Sequence, residues 1–289
     1  MNQLKMLFKK GMRVSVASPS ALRRHRRNLW LQRNRISGVS RFFSVAGRSF
    51  AAETANDYPI FIFSAGWRSG STLLQRLVTS SKDTLIWGEA FDKCSIIQGL
   101  VDMLIPFQDS YAGITAGEST EKLSGIEHKW IATLSPEPPE LARAFKAFVT
   151  ELFANPAYKA GATRWGIKEV RFGAPEAVFL KALFPNARFL FLKRNIEDAF
   201  VSYRDFTAGG MPWYARWPSE PIFTPYAFAQ HSERLKREFD ACIKHTGGRV
   251  IEYEELTSNR SGSEEIETYL GEEVDRSVLA DHVGSSPKK

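Results

Sequence analysis

The chain has 289 residues, 43% of them hydrophobic and 12% aromatic, which is enough to bury the core of one large domain and too apolar for a disordered chain. Its formal net charge of +7 is unevenly spread: residues 1–52 hold twelve Lys/Arg and no Asp or Glu, leaving 27 basic against 32 acidic residues over 53–289. No run reaches the ~18 apolar residues that a membrane-spanning helix needs, and the two cysteines, Cys94 and Cys242, lie in helical patterns and read as buried free thiols.

Residues 1–57 read as a basic N-terminal arm and 58–289 as the folded domain. Within the arm, Leu4, Phe8 and Met12 recur at helical spacing among Lys5, Lys9, Lys10 and Arg13, a pattern suited to an anionic membrane surface. The acid-free, Arg- and Ser-containing composition equally suits an organelle transit peptide or a flexible tail. These readings place the protein in the cytoplasm with membrane contact through the arm, or in an organelle reached through residues 1–52. Arg23-Arg-His-Arg-Arg27 is basic enough to attract nucleic acid, but no nucleic-acid-binding motif accompanies it, so no nucleic-acid partner is expected.

The chain is organised around residues 58–78. Ile60 to Phe63 is an apolar run with the look of a buried strand, Ser64 to Gly70 is a loop of small residues, and Leu73, Leu74, Leu77 and Val78 then recur at helical spacing. Strand, glycine loop and helix together form an anion trap, because the unpaired N–H groups of the first helical turn point at the bound group along the helix dipole. Arg68 adds a charge, and Ser69, Ser71 and Thr72 add hydroxyl donors. A nucleoside-triphosphatase loop requires four residues between its glycines and a lysine after the second; here three residues separate Gly66 from Gly70, and Ser71 follows. Neither an acidic magnesium ligand at a strand end nor a dinucleotide-binding glycine pattern is evident, so the expectation is a metal-free nucleotide site.

Further along, Thr84 to Trp87 reads as a second strand with Glu89 just beyond its end, where parallel sheets present their ligand crevice. Phe91, Cys94, Ile97, Leu100, Val101 and Leu104 predict an amphipathic helix, residues 108–139 an irregular insertion beside the cleft, and Leu141 to Phe153 a helix. Lys168 lies in a strand beginning near Trp165, and is either a site residue or a surface lysine paired with Glu169. Ala174 to Leu183 predicts a helix, Phe189 to Leu192 a strand, and Asn195 the cap of the helix that follows. The Gly/Pro-rich stretch 207–226 holds Trp213, Tyr214, Arg216 and Trp217, which could stack on a base or sugar or plug a core. A charged helix over 227–245, whose two histidines read as exposed, completes the pattern.

At five places this pattern resembles a known family. Gly66-Trp-Arg-Ser-Gly-Ser-Thr72 is similar to the 5′-phosphosulfate loop of sulfotransferases that use 3′-phosphoadenosine 5′-phosphosulfate (PAPS), with Trp67 in place of a proline and Ser71 in place of a threonine. Arg188 to Tyr203 resembles the family's 3′-phosphate motif, a strand ending in Arg194 followed by Ser202 eight positions later. Gly88-Glu-Ala-Phe91 is similar to a segment of carbohydrate-type members that supplies a glutamate base, and Trp165 to Lys168 to the strand that brings a lysine to the bridging oxygen. Gly248 to Leu256 resembles the late strand with its Tyr-Glu pair; the terminal Arg-Lys-Gly element has only Val283-Gly-Ser-Ser286 as a counterpart.

The resemblance implies a single α/β domain with a central parallel β-sheet flanked by helices, of the P-loop NTPase-like kind. It implies sulfuryl transfer from PAPS, without a metal, to a hydroxyl of a glycan, glycolipid or small molecule. Glu89, Lys168 and Arg68 would be catalytic, and Gly66, Trp67, Arg68, Ser69, Gly70, Ser71, Thr72, Arg194 and Ser202 would hold the donor. A phosphotransferase using the same loop and a non-catalytic nucleotide-binding protein are the alternatives.

Overall fold

The computed structural model describes residues 34–47, 57–91, 94–107, 126–128, 131–132, 134–208, 225–258 and 261–280. The arm upstream of residue 34, the aromatic stretch with Trp213, Tyr214, Arg216 and Trp217, most of the 108–139 insertion and Val283–Ser286 lie outside them.

Five parallel strands form one sheet, in the order β2 (Thr84–Trp87), β3 (Arg164–Glu169), β1 (Ile60–Ser64), β4 (Arg188–Lys193), β5 (Arg249–Glu252). The sequence dictates what each face buries. Side chains alternate across a strand, so Phe61 and Phe63 of β1, Phe189 and Phe191 of β4 and Trp165 of β3 share one aromatic face. Ile60, Ile62, Leu190 and Leu192 share the opposite, aliphatic face. The central β1 is fully buried, as a strand covered on both sides must be.

On the aliphatic face lie α2 (Ser71–Thr79) and, after β5, α9 (Tyr253–Ser258) and α10 (Ser261–Leu270). The aromatic face carries α3 (Ile96–Met103), α4 (Pro138–Val149), α5 (Asn155–Lys159), α6 (Ala174–Leu183) and α8 (Pro225–Thr246). Between α4 and α5 one turn, Thr150–Ala154, is a π-helix. After β4, α7 (Ile196–Ala208) completes the end of the sheet that carries the glycine loop. Close packing requires Gly166 on β3, since a Cβ there would lie 1.9 Å from the Ile60 carbonyl oxygen.

Two boundaries differ from the sequence expectation. Residues 34–46 are helical (α1) and belong to the folded unit. Val39, Phe42 and Ala46 are buried in the aromatic core, where a Val or Phe contributes about 1.5–3 kcal/mol. Arg35 of this helix pairs with Asp102 at 2.6 Å and with the buried Glu176, while Arg41 donates to the Phe107 carbonyl at 3.1 Å. A basic composition conceals a three- and four-residue apolar spacing here. The helix expected from Phe91 starts only at Ile96; Phe91 is exposed, with φ of 59°.

Candidate active site

The loop after β1 is held from below and open above. Ala65 N–H donates to the Leu192 carbonyl at 2.9 Å and Gly66 N–H to the Ser64 carbonyl at 2.7 Å. Gly66, Arg68 and Gly70 have φ of 99°, 61° and 89°, and left-handed residues alternating with ordinary ones curl the backbone so that its N–H groups converge. The Ser69 hydroxyl, buried beneath, donates to the Gly66 carbonyl at 2.6 Å and contacts Ser64 Oγ. Leu73 and Leu74 make the first turn-closing bonds, to the Gly70 carbonyl at 2.9 and 3.1 Å. No N–H from Ser69 to Thr72 donates to a backbone carbonyl among the described residues. Gly70 has no alternative, because a Cβ would meet the Tyr253 ring at 2.2 Å.

Arg194 and Ser202 come to this loop from β4 and α7. Arg194 Nη1 donates to the Arg68 carbonyl at 2.7 Å, and its guanidinium lies 4.2 Å over the Tyr253 ring. Arg68 Nε donates to Ser202 Oγ at 3.1 Å. Burial, and then the charge of Arg194, hold the Arg68 guanidinium below its ordinary pKa. Arg194 Nε is buried and has no partner among the described residues. Asn195 caps α7, its Oδ1 accepting from Glu197 N–H at 2.9 Å and Asp198 N–H at 3.3 Å. The residue pair predicted for a second phosphate thus meets the loop predicted for the first.

Lys168 stands on β3 in register with Ile62 and is buried. Its Nζ contacts Glu89 Oε1 at 2.6 Å, with the side chains 5% and 21% exposed. Among the described residues Glu89 Oε2 makes no hydrogen bond or ion pair. The pairing of Lys168 with Glu169 that the sequence left open does not occur, because adjacent strand residues face opposite sides of the sheet. Glu169 is instead clasped by Arg171 and accepts the Val170 N–H at 2.8 Å. Gln75 ties α2 to the end of β2 by donating to the Ile86 carbonyl at 2.8 Å.

Beside Glu89 opens a cleft of about 570 Å³, lined by Trp87 to Phe91, Glu151 to Phe153 and Pro156. The π turn supplies its far wall. Trp87 Nε1 donates to the Phe153 carbonyl at 2.9 Å and joins the two walls. Among the described residues no group of three or more His, Cys, Asp or Glu could hold a metal ion, and no helix is long and apolar enough to cross a membrane.

Sequence reading missed several neighbours of the loop. His231, expected to be exposed, is buried and stacks on Trp67, with ring centroids 5.0 Å apart. Trp67 in turn packs among Val170, Ala199, Tyr203 and Phe228. The hint lay in the spacing of His231, Leu235, Phe239 and Cys242, one buried stripe along α8; only His245 of the two histidines is exposed. Cys94 is exposed and not buried as expected, whereas burial pushes the Cys242 thiol up to about 12.

Comparison with known proteins bears on this geometry. No curated protein matches the chain. A family model described as "Sulfotransferase family" matches residues 59–276, from the residue before β1 to the turn after α10. That span holds the loop, Glu89, Lys168, Arg194 and Ser202, and covers most of the sequence: the chain belongs to the sulfotransferase family.

Proposed function

We propose that the protein moves a sulfuryl group from PAPS to a hydroxyl acceptor. The observation that carries this reading is the meeting of Arg194 and Ser202 with the glycine loop, sealed by the 2.7 Å bond from Arg194 to the Arg68 carbonyl. One anion on the loop N–H groups and a second on Arg194 and Ser202 match a nucleotide with phosphates at both 5′ and 3′ positions. A nucleoside triphosphate has no phosphate for the second place. The buried Arg194 Nε, unpartnered among the described residues, and the left-handed curl of the loop at Gly66, Arg68 and Gly70 support such a ligand.

In the proposed reaction Glu89 takes the proton of the acceptor hydroxyl through Oε2, and that oxygen attacks sulfur in line with the bridging oxygen. The sulfur–oxygen bond to the 5′-phosphate breaks, and adenosine 3′,5′-bisphosphate leaves with the electron pair. Lys168 and Arg68 meet the negative charge that accumulates on the departing phosphate. Lys168 begins the cycle paired to Glu89; as Glu89 is protonated its attraction for Lys168 falls, just when the leaving oxygen gains charge. The resemblance of Gly88–Phe91 to carbohydrate-type enzymes favours a sugar or glycolipid hydroxyl, whereas the cleft walls favour an apolar body.

Calorimetric titration with adenosine 3′,5′-bisphosphate and with ATP, both in EDTA, tests the donor. Micromolar binding of the bisphosphate with little response to ATP is expected. Stronger binding of ATP would replace this reading with the phosphotransferase, and binding of neither would leave the loop without its proposed ligand.

A further inference from the structure

We infer that the acceptor is an uncharged, ring-bearing alcohol or phenol whose apolar body lies in the cleft beside Glu89 with its hydroxyl at the carboxylate. This rests on the sulfuryl-transfer reading and selects among the acceptors that reading leaves open. Four observations carry it.

Glu89 is both a wall of the cleft and the partner of Lys168, so a molecule filling the cleft presents itself to the proposed base and not to some remote surface. The volume, about 570 Å³, suits a small organic molecule and not an extended chain.

The walls are chemically one-sided. Trp87, Ala90, Phe91, Leu152, Phe153 and Pro156 are apolar, and the charged members, Glu89 and Glu151, are both acidic. Among the described lining residues there is no lysine or arginine, and the nearby Lys168 is already paired with Glu89, so an anionic glycan would find no unengaged cation in the wall. A neutral sugar carries a hydroxyl on nearly every ring carbon, and beyond the two carboxylates the described side chains of the wall offer these hydroxyls no partner.

The one indole in the wall has already used its donor. Trp87 Nε1–H is committed to the Phe153 carbonyl, leaving an apolar ring as its contact surface.

Two departures from regular backbone converge on the cleft. Phe91 holds a left-handed φ of 59° with its side chain 57% exposed, an unfavourable conformation for a bulky residue. Opposite it, the π turn Thr150–Ala154 carries Glu151, Leu152 and Phe153 into the wall, and such turns are frequent at functional sites. Both place aromatic or aliphatic groups where a ring would lie.

The test uses the full chain with PAPS and three acceptors: 2-naphthol, octyl glucoside and a hyaluronan tetrasaccharide. Sulfation of 2-naphthol is expected to exceed that of either sugar by about tenfold or more in kcat/KM. Phe91→Asn, which suits the left-handed backbone and removes the ring, is expected to lower kcat/KM for 2-naphthol about tenfold. Leu152→Glu should lower it further, and both variants should bind adenosine 3′,5′-bisphosphate as the unmodified protein does. Faster turnover of either sugar, or naphthol kinetics unchanged in both variants, would overturn the inference while leaving the donor reading intact. Failure of the bisphosphate to bind the unmodified protein would overturn the donor reading, and the acceptor role with it, whether or not naphthol still occupies the cleft.

Discussion

At the end of β3 two neighbouring residues enter ion pairs, and the surroundings of those pairs could hardly differ more. The carboxylate of Glu169 is sealed, its oxygens engaged by the Val170 N–H and twice by Arg171, and both side chains of the pair are less than 5% exposed. Burial pushes the Glu169 carboxyl above its usual range, and the contacts from Arg171 oppose the rise. One residue earlier, Lys168 faces the other side of the sheet and meets Glu89 through a single oxygen at the rim of a cleft. A sealed pair can hold a structure together but can do nothing to a ligand. A pair with one oxygen left over and a wall of the cleft in common with it can exchange a proton. Two neighbouring charges of the sequence therefore lie on opposite sides of the sheet, and the proposed proton transfer falls to the pair that borders the cleft.

That contrast is broken most directly at Glu89. Glu89→Gln keeps the shape and a hydrogen-bond acceptor for Lys168 but cannot take a proton. Turnover is expected to fall by about two to four orders of magnitude, with adenosine 3′,5′-bisphosphate affinity and the denaturation midpoint little changed. Unaltered turnover would remove Glu89 from the role of base.

The opposite result is expected next door. Arg171→Ala leaves Glu169 buried without its cation, and breaking such a pair costs about 3–5 kcal/mol of stability. A urea melt followed by circular dichroism measures it. If Arg171→Ala melts like the unmodified protein, the distinction between a sealed pair and a working one is lost.

A third cation sharpens the comparison from the donor side. Among the described residues Arg194 is held by a carbonyl and an aromatic ring and by no carboxylate, so none of them neutralises its charge. Arg194→Ala should weaken binding of the bisphosphate by about 2 kcal/mol, as loss of a charged hydrogen bond does. Affinity for adenosine 5′-phosphate should change much less. Equal losses for the two nucleotides would mean that Arg194 does not read the 3′-phosphate.

Much of this was legible in the sequence, for reasons that can be stated residue by residue. The alternations Ile60-Phe-Ile-Phe63 and Phe189-Leu-Phe-Leu192 announce strands buried on both faces, and they sit where expected. The glycine loop and Asn195 declare themselves through backbone requirements that few other residues satisfy. What stayed hidden depends on contacts between distant segments. Nothing local tells Lys168 to choose Glu89, 79 residues away, over its neighbour Glu169. Nor does the sequence reveal that Trp67 will find His231, or that α1 will dock through Arg35 onto Glu176. Charge composition actively misled at α1, because twelve basic residues and no acidic ones over residues 1–52 outweighed three buried apolar ones. The cleft was foreshadowed only by Glu89, since its far wall is a π turn that helical periodicity does not distinguish from an ordinary helix.

The smallest expected effect lies at the other end of β3, where a carboxylate is half-buried without a cation bonded to it. Asp57 Oδ1 accepts from Trp165 Nε1 at 3.1 Å. Burial raises its pKa, while the indole bond and the more distant charge of Lys146 pull the other way and lose. A carboxyl raised in the folded state binds its proton more tightly there than in the unfolded chain. Its contribution to stability is therefore fully present below the ordinary aspartate value of 3.8 and is lost as pH rises through the folded value. Asp57→Asn keeps an oxygen for the indole and removes the charge. Urea melts across the acid range should show the variant gaining on the unmodified protein as pH rises from about 4, then holding a constant lead. A lead that instead grew toward lower pH would reverse the sign of the burial effect. It would mean that the indole bond and Lys146 outweigh burial at Asp57, unlike at Glu169, where burial prevails over the contacts from Arg171.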